Sequence, residues 1–98
     1  MLGYFQVKKI RAHVLISGIV QGVFFRANTR DIALSHGIHG WVRNTMDGKV
    51  EAVFEGDETA VKKVVEWCKR GPSGARVDNI DIKWLAHTDE FNGFMVRR

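Results

Sequence analysis

The stretch KKIRAHVLISGIVQGVFFRANTRDIALSHG, residues 8–37, changes its hydrophobic period part-way along. Over residues 8–17, Ile10, Ala12, Val14 and Ile16 fall on one side and Arg11, His13 and Ser17 on the other. That period of two predicts a strand. Gly18-Ile-Val-Gln-Gly22 interrupts it, and from about Phe25 to His36 the spacing is helical. Phe25, Thr29, Ile32 and Ala33 share the helix face, and Gly37 is placed to end it.

Working outward, residues 39–45 and 49–55 read as two strands around Met46-Asp47-Gly48, a hairpin signal, with Val50, Ala52 and Phe54 facing one way. Asp57 is expected to cap a second helix whose apolar stripe is Ala60, Val61, Val64, Val65 and Cys68. Asp57 and Glu58 would sit at its positive end and Lys69 and Arg70 at its negative end. Gly71-Pro72 stops that helix, a strand follows over roughly Arg76–Leu85, and a short last strand is expected at Gly93–Arg97. The order β-α-β-β-α-β plus an edge strand predicts the α+β split βαβ, or ferredoxin-like, sandwich: one antiparallel sheet with both helices on one face. This fold hosts enzymes, RNA readers and metal carriers, so function has to come from the site.

A chain of 98 residues is expected to form one domain over residues 1–98, with residues 1–7 a loose tail. Hydrophobic residues at 45% and charged residues at 27% exclude a disordered chain. The single cysteine, Cys68, cannot form an internal bridge, and no signal peptide or membrane span is evident, so a soluble cytoplasmic protein and a monomer are expected. A net charge of +4 favours anionic partners, either nucleic acid or small phosphorylated metabolites.

Two segments carry chemistry. Gly18-Ile-Val-Gln-Gly-Val-Phe-Phe-Arg26 joins a strand to a helix, where backbone N–H groups and the helix end together bind phosphate without a metal. Arg26 opens the helix, from which a guanidinium can fold over an anion and bond it through two parallel N–H groups. There is no Gly-Lys-Ser/Thr, so no nucleotide is implied. The second segment is Gly40-Trp-Val-Arg-Asn44, running on to Asp47-Gly48-Lys-Val-Glu51. The amide of Asn44 can orient a water; by itself Asn44 equally suits a turn.

Together these residues resemble the acylphosphatase family. Its first signature, Gly-x-Val-Gln-Gly-Val-x-Phe-Arg, is matched at Gly18, Val20, Gln21, Gly22, Val23, Phe25 and Arg26. Its second, Gly-Trp-Val-Arg-Asn followed by Asp-Gly-x-Val-Glu, is matched from Gly40 to Glu51, and Gly71-Pro72 with Ala75-Arg76-Val77 also fits. The resemblance runs from about Lys8 to Arg97. It implies hydrolysis of acyl phosphates without metal or cofactor, with Arg26 and Asn44 as catalytic pair. Backbone amides of Gln21, Gly22, Val23, Phe24, Phe25 and Arg26 would cradle the phosphoryl group. Acetyl phosphate, carbamoyl phosphate and 1,3-bisphosphoglycerate all suit such a site, with inorganic phosphate as product.

Other readings are weaker. His36 and His39 straddle Gly37 and, with one cysteine, make no zinc site. Cys68 falls on a core stripe. Trp41, Trp67 and Trp84 fit burial better than base stacking, and Asp47 and Glu51 fit a turn and a strand-face charge better than a carboxylate pair. An RNA-recognition domain needs stacking rings on its third strand, which here reads Lys-Val-Glu-Ala-Val-Phe-Glu. A module that binds acyl phosphates without turnover, or a piece of a larger maturation enzyme, remains the closer rival.

Overall fold

The computed structural model describes residues 8–98; the expected tail at 1–7 lies outside them. In chain order the elements are β1 (Lys9–Ile19), α1 (Phe25–Ser35), β2 (His39–Asn44), β3 (Val50–Asp57), α2 (Glu58–Cys68), β4 (Arg76–Ala86) and β5 (Phe94–Arg97). They form one five-stranded sheet in the order β4-β1-β3-β2-β5. β1 and β2 are joined through α1 with β3 between them, and β3 and β4 through α2 with β1 between them. Two interleaved crossovers of this kind make the ferredoxin-like arrangement.

The period-two residues of β1 are its core residues: Ala12, Val14 and Ile16 are fully buried and Ile10 nearly so. β1 holds the middle because it is paired on both sides, with Val14 opposite Ala52 of β3 and opposite Ile82 of β4. Val50, Ala52 and Phe54 join the same core, as do Val61, Val64, Val65 and Cys68 of α2 and Phe25 and Ala33 of α1. Phe25 meets Trp67 edge to face at 5.6 Å, which locks one helix against the other. Burial pushes the Cys68 thiol pKa up, as befits a packed side chain.

Several expectations change in detail. The antiparallel description holds for β4, β1, β3 and β2, but β5 runs parallel to β2, with Trp41 opposite Met95, so the sheet is mixed. The reason lies in residues 87–93, which cross the face of the sheet away from the helices. Arg11 of β1 donates to the Thr88 hydroxyl and to Glu90, Glu55 of β3 accepts from Thr88, and the Gly93 N–H donates to His39 of β2. The segment stays at one end of the sheet, so β5 begins where β2 begins. Asp57 stands at the start of α2 but its side chain makes no capping bond; the Glu58 N–H instead donates to the Lys8 carbonyl at 2.9 Å. The hairpin turn is longer than expected, closed by the Thr45 N–H on the Lys49 carbonyl at 2.8 Å. Helix α1 stops at Ser35, with Gly37 at φ 67° just beyond. Trp84 is half exposed, not buried: it stands on an edge strand beside an open hollow that Glu58 and Lys62 of α2 also line.

Glu55 is 1% exposed, although its position in the sequence reads as a strand-face acid. Its carboxylate accepts from Arg11 Nε at 2.7 Å, from the Thr88 N–H at 2.9 Å and hydroxyl at 2.8 Å, and from the Asp89 N–H at 3.2 Å. Burial opposes its charge, but the Thr88 donors and Arg11 outweigh burial and hold its pKa well below the usual carboxylate range, at about 2. Glu55 thereby fixes the crossing segment and, through it, the start of β5.

At the other end of the sheet, the register of β1 on β4 shifts between Ser17 and Gly18. A Cβ on Gly18 would lie 2.1 Å from the Arg76 carbonyl oxygen, so only glycine lets the strands approach there. Past this irregularity the ladder holds for two more pairs, Gly18 with Val77 and Ile19 with Arg76, before the chain leaves for the loop ahead of α1.

Candidate active site

The loop from Val20 to Phe24 leaves the sheet at the C-terminal end of β1 and delivers the chain to α1. Val20 is buried and anchors it. Gly22 and Phe24 both hold left-handed backbone, at φ 74° and 60°, on either side of Val23. Reversals of this kind turn neighbouring amides toward a common concavity. For Phe24 the conformation is strained, since a side chain beyond Cα disfavours it. Its carbonyl accepts from the N–H of Asn28 at 3.1 Å and from the Asn28 side chain at 2.9 Å, which secures the first turn of α1 on the loop.

The Gln21 side chain is engaged by the backbone of the neighbouring turn. Its Nε2 donates to the carbonyls of Thr45 and Lys49 at 2.9 and 2.8 Å, tying the loop to the β2–β3 turn. Arg26, on the first turn of α1, donates from Nη1 to the Arg97 carbonyl at 3.4 Å, a long contact with β5. Asn44 is the last residue of β2, opposite Val50. Its Oδ1 is buried and has no hydrogen-bond partner among the described residues. A buried amide oxygen left unpaired costs about 1–3 kcal/mol, so a further donor such as a water suits it.

Loop, helix and strand end enclose a cavity of about 550 Å³ that Gly22, Phe24, Phe25, Arg26 and Asn44 all line. Of the expected site residues, Gln21 and Val23 do not line it: Gln21 braces the loop from behind, and Val23 packs on the core. The sequence reading did not include Arg30 and Arg98, which line the cavity as well. Arg30 was legible in principle, since it stands four residues after Arg26 on the same helix face. Arg98 was not, because its approach depends on where β5 joins the sheet.

The remaining candidates are engaged elsewhere. The Glu51 carboxylate accepts from His13 Nε2 at 2.7 Å and from Arg43 Nε at 2.6 Å. Burial works against its charge, but these two donors prevail and its pKa is lowered. Asp47 is held by the Thr45 hydroxyl and lies near Lys49. Among the described residues, no three His, Cys, Asp or Glu side chains come together as metal ligands, and no helix is long and apolar enough to cross a membrane.

A basic hollow at the end of a ferredoxin-like sheet narrows the family further than the fold does. The family model for acylphosphatases matches residues 12–96. This chain belongs to the acylphosphatase family. An acylphosphatase of Pelotomaculum thermopropionicum is 52% identical over 90 residues, covering 92% of this chain and 98% of the relative. One of a Roseiflexus species is 57% identical over 86 residues, covering 88% and 92%. Among solved structures, the acylphosphatase of Coxiella burnetii superposes with a TM-score of 0.86 at 37% identity, covering 92% of this chain and 94% of that one. That of Bacillus subtilis superposes with a TM-score of 0.87 at 30% identity, covering 91% and 99%. The chain thus shares its fold with these two structures over nearly their full lengths.

Proposed function

We propose that this chain hydrolyses the carboxyl–phosphate anhydride of acyl phosphates to a carboxylate and inorganic phosphate, as a single-domain enzyme that uses no metal. Arg26 and the amides of the loop hold the phosphoryl oxygens, and Asn44 orients the attacking water. The observation that carries this reading is the unpaired Oδ1 of Asn44, buried beside a cavity that Arg26 also lines. A water donating one O–H to Oδ1 keeps its lone pair free for phosphorus.

The chemistry asks for little more. The leaving group is a carboxylate whose conjugate acid has a pKa of about 4, so it departs as the anion without a general acid. The water oxygen bonds to phosphorus, the bond from phosphorus to the acyl oxygen breaks with its electron pair, and the proton of the water goes to a phosphoryl oxygen. Charge on three oxygens is met by donors fixed before the substrate arrives, so positioning and electrostatics supply the rate.

The test is hydrolysis of benzoyl phosphate by the purified protein with EDTA present. Turnover unaffected by chelator, with p-nitrophenyl phosphate nearly inert because its leaving group is poorer, is expected. Binding of benzoyl phosphate without turnover would instead favour a sensor, and activity lost in EDTA and restored by zinc or magnesium would sink the metal-free mechanism.

A further inference from the structure

One phosphoryl group does not account for the charge around the cavity. Three arginines, Arg26, Arg30 and Arg98, line it, and among the described residues no Asp or Glu side chain does. Arg26 and the loop suffice for the phosphoryl oxygens, and a cavity of about 550 Å³ has room for more than a phosphoryl group. Arg30 follows Arg26 by one turn on the same face of α1, roughly 6 Å further along the axis. Its guanidinium is only weakly committed: Nε and Nη2 both reach Asp31 Oδ1 at 3.3 Å, the long end of the hydrogen-bond range, and its side chain is 45% exposed. Arg98 comes from the far side, following β5. Two guanidiniums beyond the one that meets phosphate, with Arg30 held only by its long contact to Asp31, describe a second anion subsite along the path of the acyl group.

Resting on the acyl-phosphate reading, we propose that Arg30, with Arg98, selects substrates whose acyl portion carries a second anionic group, such as the acyl phosphates of dicarboxylic acids. The second anion lies about one helical turn from the phosphorus. Arg30 acts on binding and specificity and takes no part in bond cleavage.

The experiment compares 3-carboxybenzoyl phosphate with 3-methylbenzoyl phosphate as substrates, and the two corresponding acylphosphonates as ligands in calorimetry. The ring places the carboxylate at the required distance and prevents closure to a cyclic anhydride. The wild-type protein should favour the carboxylated member by about fivefold in kcat/KM and in affinity, the scale of a part-exposed charge pair. That ratio should shrink on adding salt. Arg30→Gln should bring the ratio down, and Arg30→Gln with Arg98→Gln close to one, whatever happens to each rate separately. A substitution that only loosened the fold would lower both substrates and leave the ratio. Equal or poorer use of the carboxylated pair by the wild type, or a preference that survives the double substitution, would overturn the proposal. The phosphonates separate the two readings: absent turnover with tighter binding of the carboxylated ligand leaves the subsite standing and removes the hydrolytic activity.

Discussion

Arg26 and Asn44 line one cavity but differ in what they offer it: one a delocalised cation with paired donors, the other a neutral amide with a free buried acceptor. Their substitutions should therefore separate. Arg26→Ala removes charge from the phosphoryl group in ground and transition state, so phosphate affinity falls and the rate drops by about 10²–10³. Arg26→Lys rescues little, because a point charge does not reproduce a two-pronged donor. Asn44→Ala removes only the acceptor for water, leaving phosphate affinity near wild type while kcat collapses. Folding should not suffer, since the lost oxygen had no partner among the described residues. Calorimetric phosphate affinity beside kcat for each variant decides it. Asn44→Ala losing affinity as severely as Arg26→Ala would end the water-positioning role. The same cradle predicts that phosphate and sulfate, both tetrahedral anions, compete with substrate. An apparent KM unmoved by millimolar phosphate would mean that the loop is not the anion site.

Between elements, the site depends on how the β1–α1 loop is registered against the β2–β3 turn, and Gln21 is the tie. Gln21→Leu keeps the volume but removes both bonds to the Thr45 and Lys49 carbonyls. The expected loss is about tenfold in kcat/KM for benzoyl phosphate, as the loop carrying Arg26 drifts against the strand carrying Asn44. Unchanged kinetics in a folded Gln21→Leu protein would show that the loop keeps its place without the tie. The elements themselves were largely legible because their signals are local. The alternation of Ile10 to Ile16, the stripe from Val61 to Cys68 and the stop at Gly37 each lie within a dozen residues. The direction of β5 was not, since it follows from residues 87–93 crossing three strands, which no periodicity records. For the same reason the burial of Glu55, which that segment covers, leaves no mark in the sequence. At the site, the resemblance of two long motifs singled out Arg26 and Asn44, which both line the cavity, whereas the bracing role of Gln21 needed coordinates: a glutamine in a loop reads alike whether it holds ligand or backbone.

For the molecule as a whole, the crossing segment makes stability depend on one buried charge. The Glu55 carboxylate gathers donors from Arg11, Thr88 and Asp89 and so joins β1, β3 and the path to β5. Its pKa is about 2 in the folded chain, against about 4.3 for an unperturbed glutamate. A lowered folded-state pKa stabilises the fold above the unfolded value, and this stabilisation is lost as pH falls from about 5 toward 2. The linked free energy is about 3 kcal/mol, a large share of the roughly 5–15 kcal/mol that holds a domain together. Acid also raises a net charge that is already +4 at pH 7, so repulsion adds to the loss. Wild-type and Glu55→Gln proteins should be unfolded in urea at several pH values between 2 and 7. Glutamine keeps an acceptor of the same shape for the Thr88 donors but carries no charge to face Arg11. Glu55→Gln should therefore be weaker than wild type at pH 7, and the two curves should converge toward pH 2 as the wild-type carboxylate protonates. The difference between them reports the Glu55 carboxylate together with the groups it touches, Arg11 and His87. Parallel curves, with a constant gap at every pH, would show that Glu55 acts through packing alone and that acid sensitivity resides elsewhere.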